Sequence, residues 1–168
     1  MRKMNNSLRV LAVILLAAVV FSGCSLIQGD KRLTTTVVEG ESMMPTLYDG
    51  QQIKVQRTKN VTYGDIVIFE FEKNVYHVKR IIAIPGDTIR FEWVSASGGF
   101  YNIFLNEELL EDYVAELTRT PHGLAGQSFT AQNNEYYVMG DNRALSNDSR
   151  HYGFINRSQI YGKVVNLG

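Results

Sequence analysis

The sequence has little of three features that would each indicate a particular class of protein. Only one of its 168 residues is cysteine, Cys24, so an intramolecular disulfide cannot form and a zinc site built on thiolates is excluded. Its 17 basic and 17 acidic residues cancel, which leaves no electrostatic attraction for nucleic acid. Helical periodicity is scarce, and the sequence contains no internal repeat or low-complexity tract. The length suits one domain with a modest core, or a core with an insertion.

The one long apolar run lies near the N-terminus. Residues 10–21 are 12 consecutive apolar residues, and the uncharged run continues to residue 27, which makes 18 residues. A helix of that length is just long enough to span the ~30 Å apolar core of a bilayer. Arg2, Lys3 and Arg9 precede the run, and this excess of basic charge predicts a cytoplasmic N-terminus and an exported remainder.

A second interpretation of this region rests on Ser22, Gly23 and Cys24, which resemble a lipoprotein processing site with Cys24 as the lipidated residue. Phe21 departs from the aliphatic residue expected in such a site, and we favour the uncleaved span. Either arrangement tethers the protein to the cell membrane. We therefore expect a cytoplasmic segment at residues 1–9, a transmembrane anchor at 10–27, a linker at 28–32 and an extracytoplasmic domain at 33–168.

From residue 33 onward the sequence predicts short β-strands. Residues 52–56 alternate polar and apolar side chains, the period of a half-buried strand. Residues 65–72 and 75–84 predict a hairpin, which is followed by a turn at residues 85–87. The expected fold class is all-β, a barrel or sandwich. Further strands are expected at residues 34–38, 88–94, 101–105, 135–139 and 162–166.

The region between about residues 92 and 134 is predicted to be an insertion into this core. Residues 107–117 fit one short helix or turn, but Asn106 equally begins a hairpin. Residues 119–134 are rich in Gly, Thr, Gln and Asn and have little apolar periodicity, which predicts a loop.

The first of three segments with unusual chemistry contains Ser42. Pro45 restricts Met44 to extended geometry and ends regular strand pairing, so we expect Ser42 at a strand edge. By itself the segment also fits an ordinary turn. The apolar side chains beside Ser42, those of Met43, Met44 and Leu47, would suit contact with membrane lipids.

The second segment is the predicted strand at residues 75–84, which carries two adjacent cations. Because side chains alternate along a strand, His77, Lys79 and Ile81 share one face and Arg80 points to the other. A lysine beside apolar neighbours is desolvated, which lowers its pKa toward neutrality. The neutral amine can then take the proton of a serine hydroxyl, as in Ser-Lys variants of the serine hydrolase arrangement. The alternative is a lysine that reaches solvent from a strand edge.

The third segment, residues 140–154, is too polar for a strand. Asp141 with Arg143, and Asp148 with Arg150, are suited to charge-assisted hydrogen bonds that fix a loop. Such a loop is either a solvated turn or a rigid support for a functional site.

Together these segments resemble the conserved boxes of the type I signal peptidases, in that family's order. The similarity covers most of the chain between about residues 37 and 154, and residues 101–114 resemble the family's inserted hairpin. The matching boxes are residues 42–46, 63–67, 79–87 and 140–153.

The resemblance implies a membrane-bound serine endopeptidase that removes signal peptides from exported preproteins and cuts after small residues in an Ala-X-Ala-like pattern. Ser42 would be the nucleophile and Lys79 the general base, with no metal or organic cofactor. The implied partners are signal peptides, membrane lipids and the secretion machinery. The implied supporting residues are Ser146, which orients the lysine amine, and the loop-stiffening Asp148, Arg150, Arg80, Asp141 and Arg143.

Two residues beside Ser42 depart from the family's pattern. Some members have a serine two positions before the nucleophile, whose hydroxyl helps form the oxyanion hole, and here that residue is Gly40. Glu41 stands where members carry glycine. The backbone N–H of Ser42 would then contribute more to the oxyanion hole, and Gly40, Glu41 and Met43 are expected beside the substrate.

Other interpretations compete with this one. His77, His122 and His151 allow a Ser-His arrangement, although scattered histidines are usually structural. Self-cleaving repressor-type peptidases and pilus-associated peptidases share the Ser/Lys chemistry, but the repressor type requires a DNA-binding segment. From a different class, a non-catalytic β domain tethered to the membrane would bind peptides and tolerate the loss of Ser42 or Lys79.

Overall fold

The computed structural model describes residues 33–94, 100–110, 118–119 and 124–166. The segments expected to form the cytoplasmic N-terminus, the anchor and the linker, residues 1–32, lie outside the described residues. Across the described ranges, none of the helices has the length and apolar character needed to cross a bilayer.

Seven strands in the described part of the chain form one antiparallel sheet. Its members, in spatial order, are β1 (Leu33–Val37), β2 (Gln52–Gln56), β12 (Ile160–Asn166), β3 (Ile66–Glu72), β4 (Val75–Ala83), β10 (Glu135–Met139) and β11 (Ile155–Asn156).

A second sheet is built from the residues between β4 and β10. Its path is β7 (Glu108–Leu109), β6 (Phe100–Leu105), β5 (Thr88–Trp93) and β9 (Ser128–Thr130), and β8 (Thr118–Arg119) also pairs with β6. One short helix, α1 (Ser149–Tyr152), and a 3-10 turn at Arg157–Gln159 complete the described elements. The expectation of an all-β fold with an inserted hairpin region is confirmed.

Local turn chemistry explains how β4 is bounded. The hairpin of β3 and β4 turns at Lys73 and Asn74, where Asn74 adopts a φ of 64°. After β4 the chain turns again, with Gly86 at a φ of 96° and the Asp87 N–H donating to the Ile84 carbonyl at 3.0 Å. Asn and Gly tolerate positive φ at little cost. These turns leave β4 as a strand of nine residues at the centre of the molecule.

The inserted region differs from its sequence prediction in two places. Residues 119–134 are not all loop, because β9 pairs with β5 and places Phe129 opposite Ile89. A single apolar residue among polar neighbours gives no periodicity, so only the cross-strand pairing reveals this strand. Asn106 and Glu107 form the turn between β6 and β7 with φ of 51° and 69°, which confirms the hairpin alternative there. Residues 111–117 lie outside the description.

Among the described residues the core consists of three apolar clusters. One cluster lies between the two sheets and includes Ile82, Phe91 and Met139. A second, with Phe69 and Ile81, packs on the face of β4 that carries Lys79. The third packs on the opposite face and includes Val38, Met43, Leu47, Ile53, Val55 and Ile66.

Candidate active site

Ser42 lies in the connection between β1 and β2, which is held at both ends by backbone hydrogen bonds. The Val38 N–H donates to the Gln51 carbonyl at 2.9 Å, and the Gly50 N–H donates to the Val38 carbonyl at 2.9 Å. Next to Ser42, the Met44 N–H donates to the Glu41 carbonyl at 3.1 Å. The connection therefore presents Ser42 from a fixed turn rather than from a strand.

Met43 and Leu47 anchor this turn in the core. Both side chains are 0% exposed and pack with Val38 and Ile53. The expectation that they contact membrane lipids is therefore wrong, because the Leu47 N–H donates to the Met43 carbonyl at 2.9 Å and this turn places both side chains on its buried side. Burial on this side leaves the Ser42 hydroxyl on the opposite, open side of the turn.

Lys79 reaches Ser42 from β4. Its side chain is 5% exposed, and its Nζ lies 2.8 Å from Ser42 Oγ and 2.9 Å from the Val78 carbonyl. On β4, Lys79 is the cross-strand partner of Val67, so the alternation that predicts Lys79 and Ile81 on one apolar face is confirmed. The lysine does not extend to solvent.

The surroundings of Lys79 disfavour its ammonium form. Burial lowers the pKa of Lys79 to about 8, a shift that the negative charge of Asp148 opposes and the positive charge of Arg150 assists. A lysine that loses its proton near pH 8 can act as a base under mildly alkaline conditions.

His77 and His151, the two histidines in the described part of the chain, make their contacts away from Ser42. His77 stacks on Phe71 with ring centroids 4.7 Å apart, and its buried Nδ1 has no hydrogen-bond partner within the described residues. Burial lowers the pKa of His77, Lys79 lowers it further and Glu72 opposes the shift. His151 instead accepts the Asp148 N–H at the start of α1, and His122 lies outside the description.

Arg80 points away from Lys79 and fixes the start of the polar loop. Its Nε and Nη2 donate to the two carboxylate oxygens of Asp141 at 2.8 and 2.6 Å, and its Nη1 donates to the Gly64 carbonyl at 2.8 Å. Asp141 is 0% exposed. This bidentate ion pair connects the loop after β10 to β4, the strand that carries Lys79.

Asp148 and Arg150 form a second buried pair at the end of the same loop. The Arg150 Nε and Nη2 each donate to an Asp148 oxygen at 2.8 Å, and the Gly140 N–H donates to Asp148 at 3.0 Å. Arg143 donates from Nε to the Gly140 carbonyl at 3.2 Å. Ser146 is buried, and its Oγ has no hydrogen-bond partner among the residues that the structure describes.

Asn142 is a site residue that the sequence interpretation did not single out. Its backbone N–H donates to the Ser42 carbonyl at 3.0 Å, and its Nδ2 donates to the Glu41 carbonyl at 3.2 Å. The polar loop therefore holds the backbone of the turn that carries Ser42 directly. Its place in the polar loop, next to Asp141, is the only sequence feature that points to Asn142. A single asparagine in such a loop does not reveal a hydrogen bond to a residue 100 positions away.

Gly40 and Glu41 lie in the groove wall, whereas Met43 does not. Gly40 adopts a φ of 85°, and its N–H donates to Asp49 Oδ1 at 2.7 Å. The Gly40 N–H is therefore already engaged. Among the described residues, the Ser42 N–H donates to no protein group, which makes it the available donor in this turn.

A groove of about 830 Å³ opens in front of Ser42 and Lys79. Its walls come from β1 and the Ser42 turn on one side and from β4 on the other, and its floor is apolar. Across the described ranges, no group of three or more His, Cys, Asp or Glu side chains suits a metal ion. Floor residues include Ile53, Val55, Ile68, Val78 and Tyr161.

Comparison with known proteins places the sequence in one family. The family model described as signal peptidase, peptidase S26, matches residues 7–167. The chain is 34% identical over 145 residues to signal peptidase IB of Staphylococcus aureus, covering 79% of this chain and 75% of that protein. It is 37% identical over 142 residues to signal peptidase I of Bacillus licheniformis, covering 75% and 71%.

A solved structure of a signal peptidase I from Enterococcus faecalis is similar with a TM-score of 0.46 and 26% identity, covering 63% of this chain and 97% of that one. On the family match and the curated relatives, the chain belongs to the signal peptidase family, peptidase S26. It is a serine peptidase of the type I signal peptidase class.

Gly140 provides a test of how tightly the loop supports Ser42. A Cβ at this position would lie 2.2 Å from Ser146 Oγ and 2.4 Å from the Ser42 carbonyl oxygen. Gly140→Ala must therefore displace the Ser42 backbone or Ser146, and we expect kcat/KM to fall by roughly 100-fold. The measurement is peptide cleavage by the folded variant.

Gly162→Ala is the matched control for this substitution. Its Cβ would also clash with a carbonyl oxygen, that of Gln56 at 2.4 Å, but between β12 and β2. We expect it to lower the free energy of unfolding and to leave kcat/KM per folded molecule nearly unchanged. Equal kcat/KM losses in the two variants would contradict a specific role of Gly140.

Proposed function

We propose that the protein is a membrane-anchored endopeptidase that removes signal peptides from exported preproteins, with Ser42 as nucleophile and Lys79 as general base. The observation that carries this proposal is the 2.8 Å hydrogen bond between Lys79 Nζ and Ser42 Oγ. The pair lies at the wall of an open groove, and the pKa of Lys79 is lowered to about 8 by burial.

The proposed reaction has two covalent steps. Neutral Lys79 takes the Ser42 Oγ proton while the oxygen attacks the scissile carbonyl, and the resulting ammonium protonates the departing amine, which leaves an acyl-enzyme ester. Water then attacks the ester while neutral Lys79 takes its proton, and the ammonium returns that proton to the departing Ser42 Oγ, which releases the leader peptide and restores the free enzyme. The Ser42 N–H is the proposed donor to the oxyanion, because the Gly40 N–H is bonded to Asp49.

The groove supports recognition of an extended leader. One wall of the groove is β1, which is the edge strand of the seven-stranded sheet. The backbone of a peptide can pair with such an edge as a further strand. Near the dyad the floor is apolar, with Val38 and Val78. We propose that small side chains at the first and third positions before the cut occupy this part of the groove, in an Ala-X-Ala-like pattern.

The proposed location follows from the N-terminal sequence. We propose that residues 10–27 anchor the protein in the cell membrane, with residues 1–9 cytoplasmic and residues 33–168 on the outer side. Arg2, Lys3 and Arg9 before the apolar run support this orientation. Membrane lipids and the secretion machinery are the proposed surroundings of the enzyme.

The proposal predicts how cleavage depends on pH. With a preprotein bearing an Ala-X-Ala leader in detergent, we expect kcat/KM to rise about tenfold per pH unit below pH 8 and to level off above it. The reason is that the neutral form of Lys79, whose pKa is lowered to about 8, is the active one. The measurement is the initial rate between pH 6 and pH 11, with the cut site determined by mass spectrometry.

A leader with Lys in place of the alanine immediately before the cut is the control substrate. It is expected to remain uncut at every pH. A rate that is independent of pH between 6 and 9, with the correct product, would contradict Lys79 as the base. Absence of product from the Ala-X-Ala leader would instead favour a peptide-binding domain.

A further inference from the structure

The groove follows two strand edges that have no neighbouring strand within the described residues. β1 pairs only with β2, and β10 pairs with β4 only at residues 80, 81 and 83. The edge of β4 over residues 75–79 is therefore open there. The successive antiparallel pairings make β1 and β4 run in the same direction, and both lead toward Ser42 and Lys79.

Two tyrosines stand at the end of the groove away from the dyad. Tyr76 of β4 is 51% exposed, and its ring meets the ring of Tyr161 edge to face with centroids 5.9 Å apart. The Arg57 guanidinium lies over the Tyr161 ring, 4.6 Å from its centroid. Tyr76 and Tyr161 both line the groove, and the proposed proton transfers use neither.

We propose that Tyr76 and Tyr161 form a specificity site for a large apolar or aromatic side chain at the fifth residue before the scissile bond. This inference rests on the proposed function, which assigns the leader to the groove and small residues to the first and third positions. An exposed ring edge flanked by a second, fixed ring offers stacking and apolar contact to such a side chain.

The position follows from strand geometry. Side chains of an extended peptide alternate, so the first, third and fifth residues before the cut face the same groove floor. The fifth lies about 13 Å from the first at ~3.3 Å per residue, and Tyr76 is about 10 Å along β4 from Lys79 by the same rise. The remaining gap is within the reach of a tyrosine ring.

The extent of the groove favours a contact of the two tyrosines with the leader, before the scissile bond, over a contact with the residues after it. It is lined by residues 34–41 on the β1 side and by Asn74 and residues 76–78 on the β4 side, all of which precede Ser42 or Lys79 along the chain. After Lys79, the lining residues among those described are Leu145, Asn147 and Tyr161. The longer part of the groove therefore suits the part of the substrate that the enzyme recognises.

The test is a peptide series cleaved by the full chain in detergent. The peptides share one Ala-X-Ala leader and differ only at the fifth residue before the cut, which is Phe, Leu or Gly. For the wild type we expect kcat/KM with Phe to exceed that with Gly by about tenfold. In Tyr76→Ala and Tyr161→Ala the ratio is expected to approach one, whereas Tyr76→Phe keeps it.

The ratio protects the test against folding defects, because a poorly folded variant lowers both rates alike. Tyr48→Ala is the matched control, since Tyr48 is 52% exposed and lies outside the groove; its ratio should equal that of the wild type. An unchanged Phe-to-Gly ratio in Tyr76→Ala overturns the specificity site, as does a wild type without any preference. If the wild type cleaves none of the peptides, the proposed function fails, and this inference fails with it.

Discussion

Replacing Lys79 with methionine is expected to lower kcat/KM by on the order of 10⁴-fold or more while making the fold more stable. The rate falls because Lys79 is the basic group in hydrogen-bond contact with Ser42 Oγ. Stability rises because the side chain is 5% exposed and burial lowers its pKa to about 8. At neutral pH the ammonium of Lys79 is therefore less stable in the folded protein than in the unfolded chain.

The sign of the stability change follows from proton binding. The unfolded lysine holds its proton up to about pH 10.5 and the folded one only to about pH 8. Below pH 8 the lysine therefore stays charged on folding although burial disfavours the charge, and the pKa difference corresponds to about 3 kcal/mol of lost stability. Methionine is of similar shape and carries no charge. Urea unfolding at pH 7 and peptide cleavage at pH 9 measure the two effects.

Ser42→Ala is the control that separates catalysis from burial of a charge. It should lose a similar fraction of kcat/KM without gaining the same stability, and the double variant should lose little more, since the two groups act as a unit. Retention of more than about a hundredth of the wild-type kcat/KM in Lys79→Met would contradict the assignment of Lys79 as the base.

Asp148→Ala is expected to lower the free energy of unfolding by about 3–5 kcal/mol. Asp148 is 0% exposed and receives two Arg150 hydrogen bonds at 2.8 Å, together with the Gly140 N–H at 3.0 Å. It also caps α1 through the Arg150 N–H at 3.2 Å. Its removal leaves these buried donors with fewer acceptors. Denaturant unfolding with circular dichroism measures the loss.

The same residue predicts a contribution to acid sensitivity. Burial alone would raise the pKa of Asp148, but the hydrogen bonds and charge of Arg150 and the Gly140 N–H lower it below 3.8. The contribution is therefore present above pH 3.8, the unfolded value, and is lost as pH falls through the folded pKa. Asp148→Asn should remove this part of the pH dependence.

Glu92→Ala is the surface counterpart of Asp148→Ala. It removes an ion pair with Arg90 at 3.0 Å in which the glutamate side chain is 55% exposed. We expect less than about 0.5 kcal/mol of change. If Asp148→Ala lowers the free energy of unfolding as little as Glu92→Ala does, the buried pair of Asp148 and Arg150 does not stabilise the fold as predicted.

Several expectations failed where neighbours from distant parts of the chain decide the outcome. Met43 and Leu47 resemble a lipid-contacting patch in sequence but are buried, since apolar character alone does not say whether a side chain meets lipid or the protein core. β9 was missed because one phenylalanine between polar residues has no period until β5 pairs with it. Ser146 was expected to orient the lysine amine, and that role stays a prediction.

Most of the strands and the turns between them can be predicted from the sequence, because side-chain alternation and the backbone preferences of Asn, Gly and Pro act within a few residues. The sequence also points to Ser42, Lys79 and the polar loop as candidate site segments. The 2.8 Å distance between Ser42 and Lys79, which are 37 positions apart, follows from the folding of the whole domain and not from local preferences. The pKa of Lys79 depends on the same packing, because desolvation is a property of everything that surrounds the amine and not of its neighbours in sequence.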